Sequence, residues 1–425
     1  MLKIVVKNKN SIFNGAAWYF LEKIIRLIGA FFIGAWIARY LGPDNYGTLA
    51  YVVALVSVLG FFGSFGIESL VVRDLVQNRL EQHRIVSTYF FIRFFGAIFV
   101  PFLALSYLIS THDDIQPLIV LVVFCSSVVV FGAIDVADCW LQAEQKARVT
   151  SVIRLFGFLI STIIKLLLIY FNASLEWFAA VIFVESAVIA SLYFSILSRH
   201  KLVPSLSYLS FFELKKLIID GRTMALSALM VAIYSKIDVL VIGTLLSKEV
   251  LAPYAVAASM CAAWNMVGTS LVQAWAPRLS SSICISKKGY ISELRKMLVS
   301  ILVISIAGSA LLSFFSDYIF NILLGDSYSL GISVFNILVW SSIFVFMGVA
   351  TSQILVNEKI YWISLVRTFV GAAVSLSLII PIAKNFGALG VAALVVFSSA
   401  AATLSILFSS AARNTLKTVL ISKAE

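Results

Sequence analysis

The chain has 425 residues, 61% of them apolar and only 12% charged, with a net charge of +11, a pI near 9.4 and a mean hydropathy of +1.01. Soluble domains run at about 45–50% apolar and about 25% charged, so this composition excludes a soluble globular protein and indicates a polytopic membrane protein. Four cysteines, Cys125, Cys139, Cys261 and Cys284, stand far apart and form no C-x-x-C, so neither a disulfide framework nor a metal site is expected.

Lys3, Lys7 and Lys9 precede the first apolar run. That run holds Glu22, Lys23 and Arg26 and lacks a small-x-small cleavage site, so it reads as a first span and not as a removable signal peptide. A spanning helix needs about 20 apolar residues. Runs of that length predict about twelve transmembrane helices, at 12–38, 46–72, 86–110, 117–140, 150–171, 175–197, 221–246, 250–275, 294–316, 330–355, 360–383 and 388–411. Residues 206–220, which include Phe211, Phe212, Glu213, Lys215 and Lys216, read as an amphipathic cytoplasmic linker helix. It separates an N-terminal six-helix lobe, 1–205, from a C-terminal six-helix lobe, 221–425.

An internal repeat supports two lobes. Sliding the chain by 205 positions lays Leu41 on Leu246, Ala50 on Ala255, Gly63 on Gly268 and Arg73 on Arg278 without a gap. A mid-run glycine and a terminal arginine are uncommon in apolar sequence, and an offset near half the chain is the mark of a duplicated transporter. Lys and Arg favour the cytoplasmic side. With the N-terminus inside, 21 of the 32 basic residues fall in inner segments and three (Arg39, Lys248 and Lys384) in outer loops. Both termini are therefore expected in the cytoplasm, and the basic pI follows from topology without invoking nucleic acid.

Eight cations fall inside predicted spans: Lys23, Arg26, Arg93, Arg154, Lys165, Arg222, Lys236 and Arg367. At roughly 2.5–3.5 kcal/mol each on insertion scales, they must face a wet interior, find partners or snorkel; Arg154 and Arg222, near span ends, read as snorkelling. Embedded acids are fewer, with Glu22, Glu185 and Asp238 deep and Glu68 and Asp135 shallow, so a net positive interior is expected. Glu22 and Arg26 are four apart and share a helical face. Arg154 with Lys165, and Arg222 with Lys236, each repeat along one face and form ladders suited to an anion.

The residues Arg39-Tyr-Leu-Gly-Pro-Asp-Asn-Tyr-Gly47, Gly66-Ile-Glu-Ser-Leu-Val-Val-Arg73 and Ile233-Tyr-Ser-Lys-Ile-Asp238-Val-Leu-Val-Ile-Gly243 resemble the signatures of Wzx-type O-antigen polysaccharide flippases. The resemblance continues through Tyr254-Ala-Val-Ala257, Pro277-Arg278 and Gly387-Ala-Leu-Gly390 and covers nearly the whole chain; Ala252-Pro-Tyr254 departs from the Gly-x-Tyr common in the family's second half. These flippases belong to the multidrug/oligosaccharidyl-lipid/polysaccharide exporter superfamily. The resemblance implies two pseudo-symmetric six-helix lobes around a central cavity. It also implies alternating-access transport of an undecaprenyl-pyrophosphate-linked oligosaccharide, without a cofactor, from the cytoplasmic to the periplasmic leaflet of the bacterial inner membrane, for lipopolysaccharide biosynthesis. The expected partners are that lipid-linked oligosaccharide, the bilayer, and an O-antigen polymerase with its chain-length regulator.

On this reading Arg26, Lys23, Arg93, Lys165, Lys236 and Arg367 line a cationic cavity, and Arg73 and Arg278 form a cytoplasmic gate. Bland readings stand beside these. Arg73 and Arg278 serve equally as positive-inside anchors, and Arg26 as the partner of Glu22. Asp238 reads as a packing brace or a coupling acid, and Asp135 and Asp138 as salt-bridge partners of Arg148 and Arg154. Trp18, Trp264 and Trp340 fall within spans, where they suit either sugar stacking or packing; His83, His112 and His200 fall in loops. A multidrug or cation extruder would call for an acid-lined cavity. A membrane glycan polymerase would call for a sizeable outer loop, whereas the stretch 317–329 is short. Nothing resembles a nucleophile elbow, metal-ligand cluster or Walker loop.

Overall fold

The computed structural model describes residues 2–111, 115–357 and 362–421; His112, Lys359 and Lys423 lie outside them. All regular structure among the described residues is helical, as expected where a backbone in hydrocarbon must satisfy its own N–H and C=O groups. Nine of these helices are long and apolar enough to cross a membrane, or ten when the bent pair Asp326–Leu338 and Ser341–Leu355 counts as one span. Two of the nine, Leu21–Leu59 and Trp362–Phe408, each take in parts of two of the expected apolar runs. They are continuous only nominally, because Gly42 (φ 73°, ψ 170°) and Gly387 (φ 60°, ψ −151°) leave helical geometry inside them. Gly42 tolerates the left-handed φ, and Pro43 restarts the helix.

The chain divides into two compact units, Met1–Leu41 with Thr48–Ala232, and Gly42–Gly47 with Ile233–Glu425. The first unit contains most of α1 (Leu2–Leu59), the single turn α2 (Phe61–Ser64), α3 (Glu68–Gln77), α4 (Gln82–Thr111), α5 (Gln116–Phe131), α6 (Val136–Ala143), α7 (Ala147–Tyr170), α8 (Leu175–Arg199) and nearly all of α9 (Phe211–Tyr234). Its core gathers Val71, Leu75, Val86, Tyr89, Tyr193 and Leu197, among others. The second unit contains α10 (Ile237–Leu245), α11 (Lys248–Ile285), α12 (Lys287–Phe314), α13 (Ser316–Leu323), α14 (Ser329–Leu338), α15 (Ser341–Asn357), α16 (Trp362–Leu404) and α17 (Ser410–Ile421). Leu294, Met297, Ile301, Phe346 and Ile354 are central to its core. Large apolar side chains also point outward: Phe99, Phe102 and Phe397 are 61%, 63% and 60% exposed. An apolar surface of this extent is a contact surface, and on spanning helices the contact is lipid.

The repeat has a packing meaning. A Cβ on Gly63 would fall 2.3 Å from Val129 of α5, and one on Gly268 would fall 2.4 Å from the Phe346 ring of α15. Each glycine lets a neighbouring helix approach closely within its own unit. The Gly42 kink falls, at the same offset, on Ser247, whose extended backbone (φ −76°, ψ 156°) separates α10 from α11.

Three segments differ from the sequence expectation. The run 46–72 is broken: α1 ends at Leu59, and Phe65 and Gly66 adopt positive φ before α3 begins. The segment 206–220 expected as a separate linker is a 3-10 turn, Leu206–Tyr208, followed by the first part of α9, which continues unbroken to Tyr234. Leu217 is buried there in the first unit's core, and Gly221 abuts Ile67, so tertiary contact holds helical a stretch that amphipathicity alone would have left at an interface. Finally, the expected span 221–246 stops at Tyr234, and Lys236 (φ −138°, ψ −3°) precedes α10. The Arg222 to Lys236 ladder therefore does not exist as one helical face.

Candidate anion-binding site

Four of the first unit's six embedded cations, Arg26, Arg93, Arg154 and Lys165, have a carboxylate within 4 Å. Arg26 lies 3.4 Å from Glu22, one turn before it on α1, and 3.9 Å from Glu185 of α8; Lys165 of α7 lies 3.9 Å from the same Glu185. Two cations and two carboxylates make this cluster formally neutral, and the Phe158 ring, 5.8 Å from the Arg26 guanidinium carbon, closes one side of it. Lys23 is half-buried on the same helix. Arg93, 7% exposed, lies 3.6 Å from Asp135, donates to the Tyr89 hydroxyl at 3.4 Å and rests over that ring. Arg154 donates to Asp138 at 2.7 Å. The supposed Arg154 to Lys165 ladder is thus two separate ion pairs on α7.

The expected gate residues are more exposed. Arg73 donates to its neighbour Asp74 at 2.9 Å, and that buried carboxylate also forms an ion pair with Lys216 at 3.0 Å. Arg278 is exposed on α11.

The second unit is different. Asp238 stands at the start of α10, where its Oδ1 accepts the Val239 N–H at 2.8 Å and its Oδ2 accepts the Tyr254 hydroxyl at 2.7 Å. These bonds brace α10 against α11. Lys236, two residues earlier, is half-buried at the helix break, and among the described residues no carboxylate lies within 4 Å of it. The same is true of Arg367 on α16. Its Nη1 donates to Ser352 Oγ at 3.0 Å, and its Nε is shielded from solvent without a partner. A Cβ on Gly348 would lie 2.7 Å from Nη2, so the absence of a side chain there makes room for the guanidinium. One turn along α16, a Cβ on Gly371 would lie 3.6 Å from the Tyr234 ring, and the Tyr234 hydroxyl lies 3.0 and 3.4 Å from those of Ser399 and Ser398.

Sequence reasoning did not foresee an apolar cavity of about 440 Å³ in the first unit. Val53, Val56, Val128, Val129, Ile182 and Ala228 contribute to its walls, and none of the expected cations lines it. It adjoins the break between α1 and α3, whose only sequence signal was the glycine spacing at 60, 63 and 66.

The aromatic candidates divide. Trp18 supports the Arg148 guanidinium at 4.8 Å, Trp264 packs on Phe346 at 5.3 Å in the second unit's interior, and Trp340 is 38% exposed. His83 lies in the first turn of α4, not in a loop, with its ring tilted against Tyr208, while His200 follows α8 beside Trp140. Among the described residues no three His, Cys, Asp or Glu side chains gather as a metal site.

A family model described as "Polysaccharide biosynthesis protein" matches residues 36–333. A Shigella flexneri protein named "Putative O-antigen transporter" is 22% identical over 341 residues, which cover 77% of this chain and 80% of that protein. Two solved structures share the fold. Lipid II flippase MurJ in an inward closed conformation aligns with a TM-score of 0.74 at 15% identity, covering 95% of this chain and 91% of that one. An inward-facing multidrug resistance MATE family transporter of the MOP superfamily aligns with a TM-score of 0.71 at 14% identity, covering 96% of this chain and 100% of that one.

Proposed function

Because the chain belongs to the polysaccharide biosynthesis protein family, we propose that it is a flippase for lipid-linked oligosaccharides. It carries an undecaprenyl-pyrophosphate-linked O-antigen repeat unit from the cytoplasmic to the periplasmic leaflet of the inner membrane by alternating access, with both termini in the cytoplasm. The names of the Shigella relative and of MurJ support this substrate class.

The observation that carries the reading is the pair of embedded cations Lys236 and Arg367, neither of which has a carboxylate among the described residues within 4 Å, whereas Arg26, Arg93, Arg154 and Lys165 each do. A cation at membrane depth costs roughly 2.5–3.5 kcal/mol on insertion scales, a cost offset when an anion occupies the site. A sugar diphosphate is such an anion, whereas a cationic drug would be repelled. The lipid tail can remain in hydrocarbon, so the protein needs to rehydrate only the charged head.

The test is deletion followed by extraction of undecaprenyl-linked intermediates. Loss of a flippase accumulates single repeat units facing the cytoplasm. Single units already on the periplasmic side would instead indicate a lost polymerase and overturn the proposal.

A further inference from the structure

The surroundings of Arg367 say more than that a positive charge is present. Three features converge there from α15 and α16. Ser352 Oγ accepts from Arg367 Nη1 at 3.0 Å and itself donates to the Gly348 carbonyl at 2.8 Å, so the serine anchors the guanidinium to the turn of α15 beneath it. Gly348 leaves the space that Nη2 occupies, since a Cβ there would stand 2.7 Å away. Thr403, whose hydroxyl would be 3.1 Å from that Cβ, donates to the Phe344 carbonyl at 2.8 Å; it is a neutral group and brings no negative charge to the guanidinium.

A guanidinium has five N–H donors, and here Ser352 is the only hydrogen-bond acceptor found for any of them among the described residues. Four residues along α16, about 6 Å at 1.5 Å per residue, Gly371 brings the chain against Tyr234. The surroundings therefore continue as hydroxyl groups and not as carboxylates. Arg93 makes the contrast within the same chain: its guanidinium is buried more deeply and has Asp135 at 3.6 Å.

A planar fork with free donors, held from behind by a neutral hydroxyl, matches phosphate geometry better than a point charge does. We propose that Arg367, positioned by Ser352 and Gly348, is the seat for a phosphate of a polyprenyl diphosphate. This assignment rests on the flippase reading and deepens it: it places the phosphate contact on α15 and α16 of the second unit, not on the ion-paired cations of the first.

The test uses full-length protein in phosphatidylcholine nanodiscs titrated with farnesyl diphosphate, with inorganic phosphate and with phosphatidylglycerol-containing nanodiscs as separate arms. Arg367→Gln is expected to weaken farnesyl diphosphate binding at least tenfold. Arg367→Lys keeps the charge but loses the fork and should recover only part of that affinity. Gly348→Ala should weaken binding about threefold to tenfold while the protein still folds, because the displaced group is the far end of a flexible side chain. Arg148→Gln, which removes an exposed cation resting on Trp18, should stay within twofold of wild type.

Equal binding by wild type and both the Arg367→Gln and Gly348→Ala variants would overturn the phosphate seat and leave the flippase reading standing. So would binding abolished equally by phosphatidylglycerol alone, which would make the site a bilayer headgroup contact. Wild type that binds no farnesyl diphosphate overturns the seat; if the deletion strain also exports its glycan normally, the flippase reading fails with it.

Discussion

Four of the first unit's six embedded cations differ from the two of the second in what faces them. In the first, Arg26, Arg93, Arg154 and Lys165 each have a carboxylate within 4 Å; in the second, Lys236 and Arg367 have none among the described residues, while the embedded acid Asp238 is held by a hydroxyl and a backbone N–H. Removing a cation paired with a buried carboxylate, as Arg26 is with Glu22 and Arg154 with Asp138, leaves that acid short of a partner. An unpaired cation costs stability and so suggests another use. Charge within a predicted span is therefore not by itself a sign of substrate contact; the partner decides.

The contrast makes predictions of graded size. The largest effect belongs to the first unit. Arg154→Ala leaves Asp138, 6% exposed, without its 2.7 Å partner, and should destabilise the protein by about 3–5 kcal/mol; thermal unfolding of the solubilised protein measures this, and a loss below about 1 kcal/mol would make the pair incidental. Next are the repeated glycines. Gly63→Val and Gly268→Val each force a side chain into a filled helix crossing and should cost about 1–3 kcal/mol, and matching losses in the same assay would establish that the two positions are equivalent. Tyr254→Phe removes one hydrogen bond to an ionisable group and should cost about 1.5–3 kcal/mol, with recovery in the Tyr254→Phe, Asp238→Asn double variant. The smallest effect is expected for Arg367→Gln, within about 1 kcal/mol of wild-type stability, because it strands no acid. A large loss there would erase the distinction between the units.

Much of this was legible in the chain itself. Composition and run length sufficed for a helical membrane protein, since a bilayer leaves few other ways to satisfy a backbone. The Glu22 and Arg26 contact followed from four-residue spacing, and the offset of 205 picked out Gly63 and Gly268 before their neighbours were known. The ladders failed for a local reason: Lys236 sits beyond a helix end, so periodicity counted through it had no meaning. The breaks near Gly60 and Gly66 were likewise hidden inside an apolar run, where hydropathy does not change when the backbone turns.

What the sequence determined alone is what depends on near neighbours and on solvent: helix content, membrane residence, and pairs one turn apart on one face. What tertiary structure decided is which cations were already spoken for. Glu185 lies 20 positions from Lys165 and 159 from Arg26, Asp135 lies 42 from Arg93, and Ser352 meets Arg367 from another helix. Coulomb energy rises as separation shrinks and a hydrogen-bonded ion pair requires direct contact, and only the packing of separate helices sets which groups come that close.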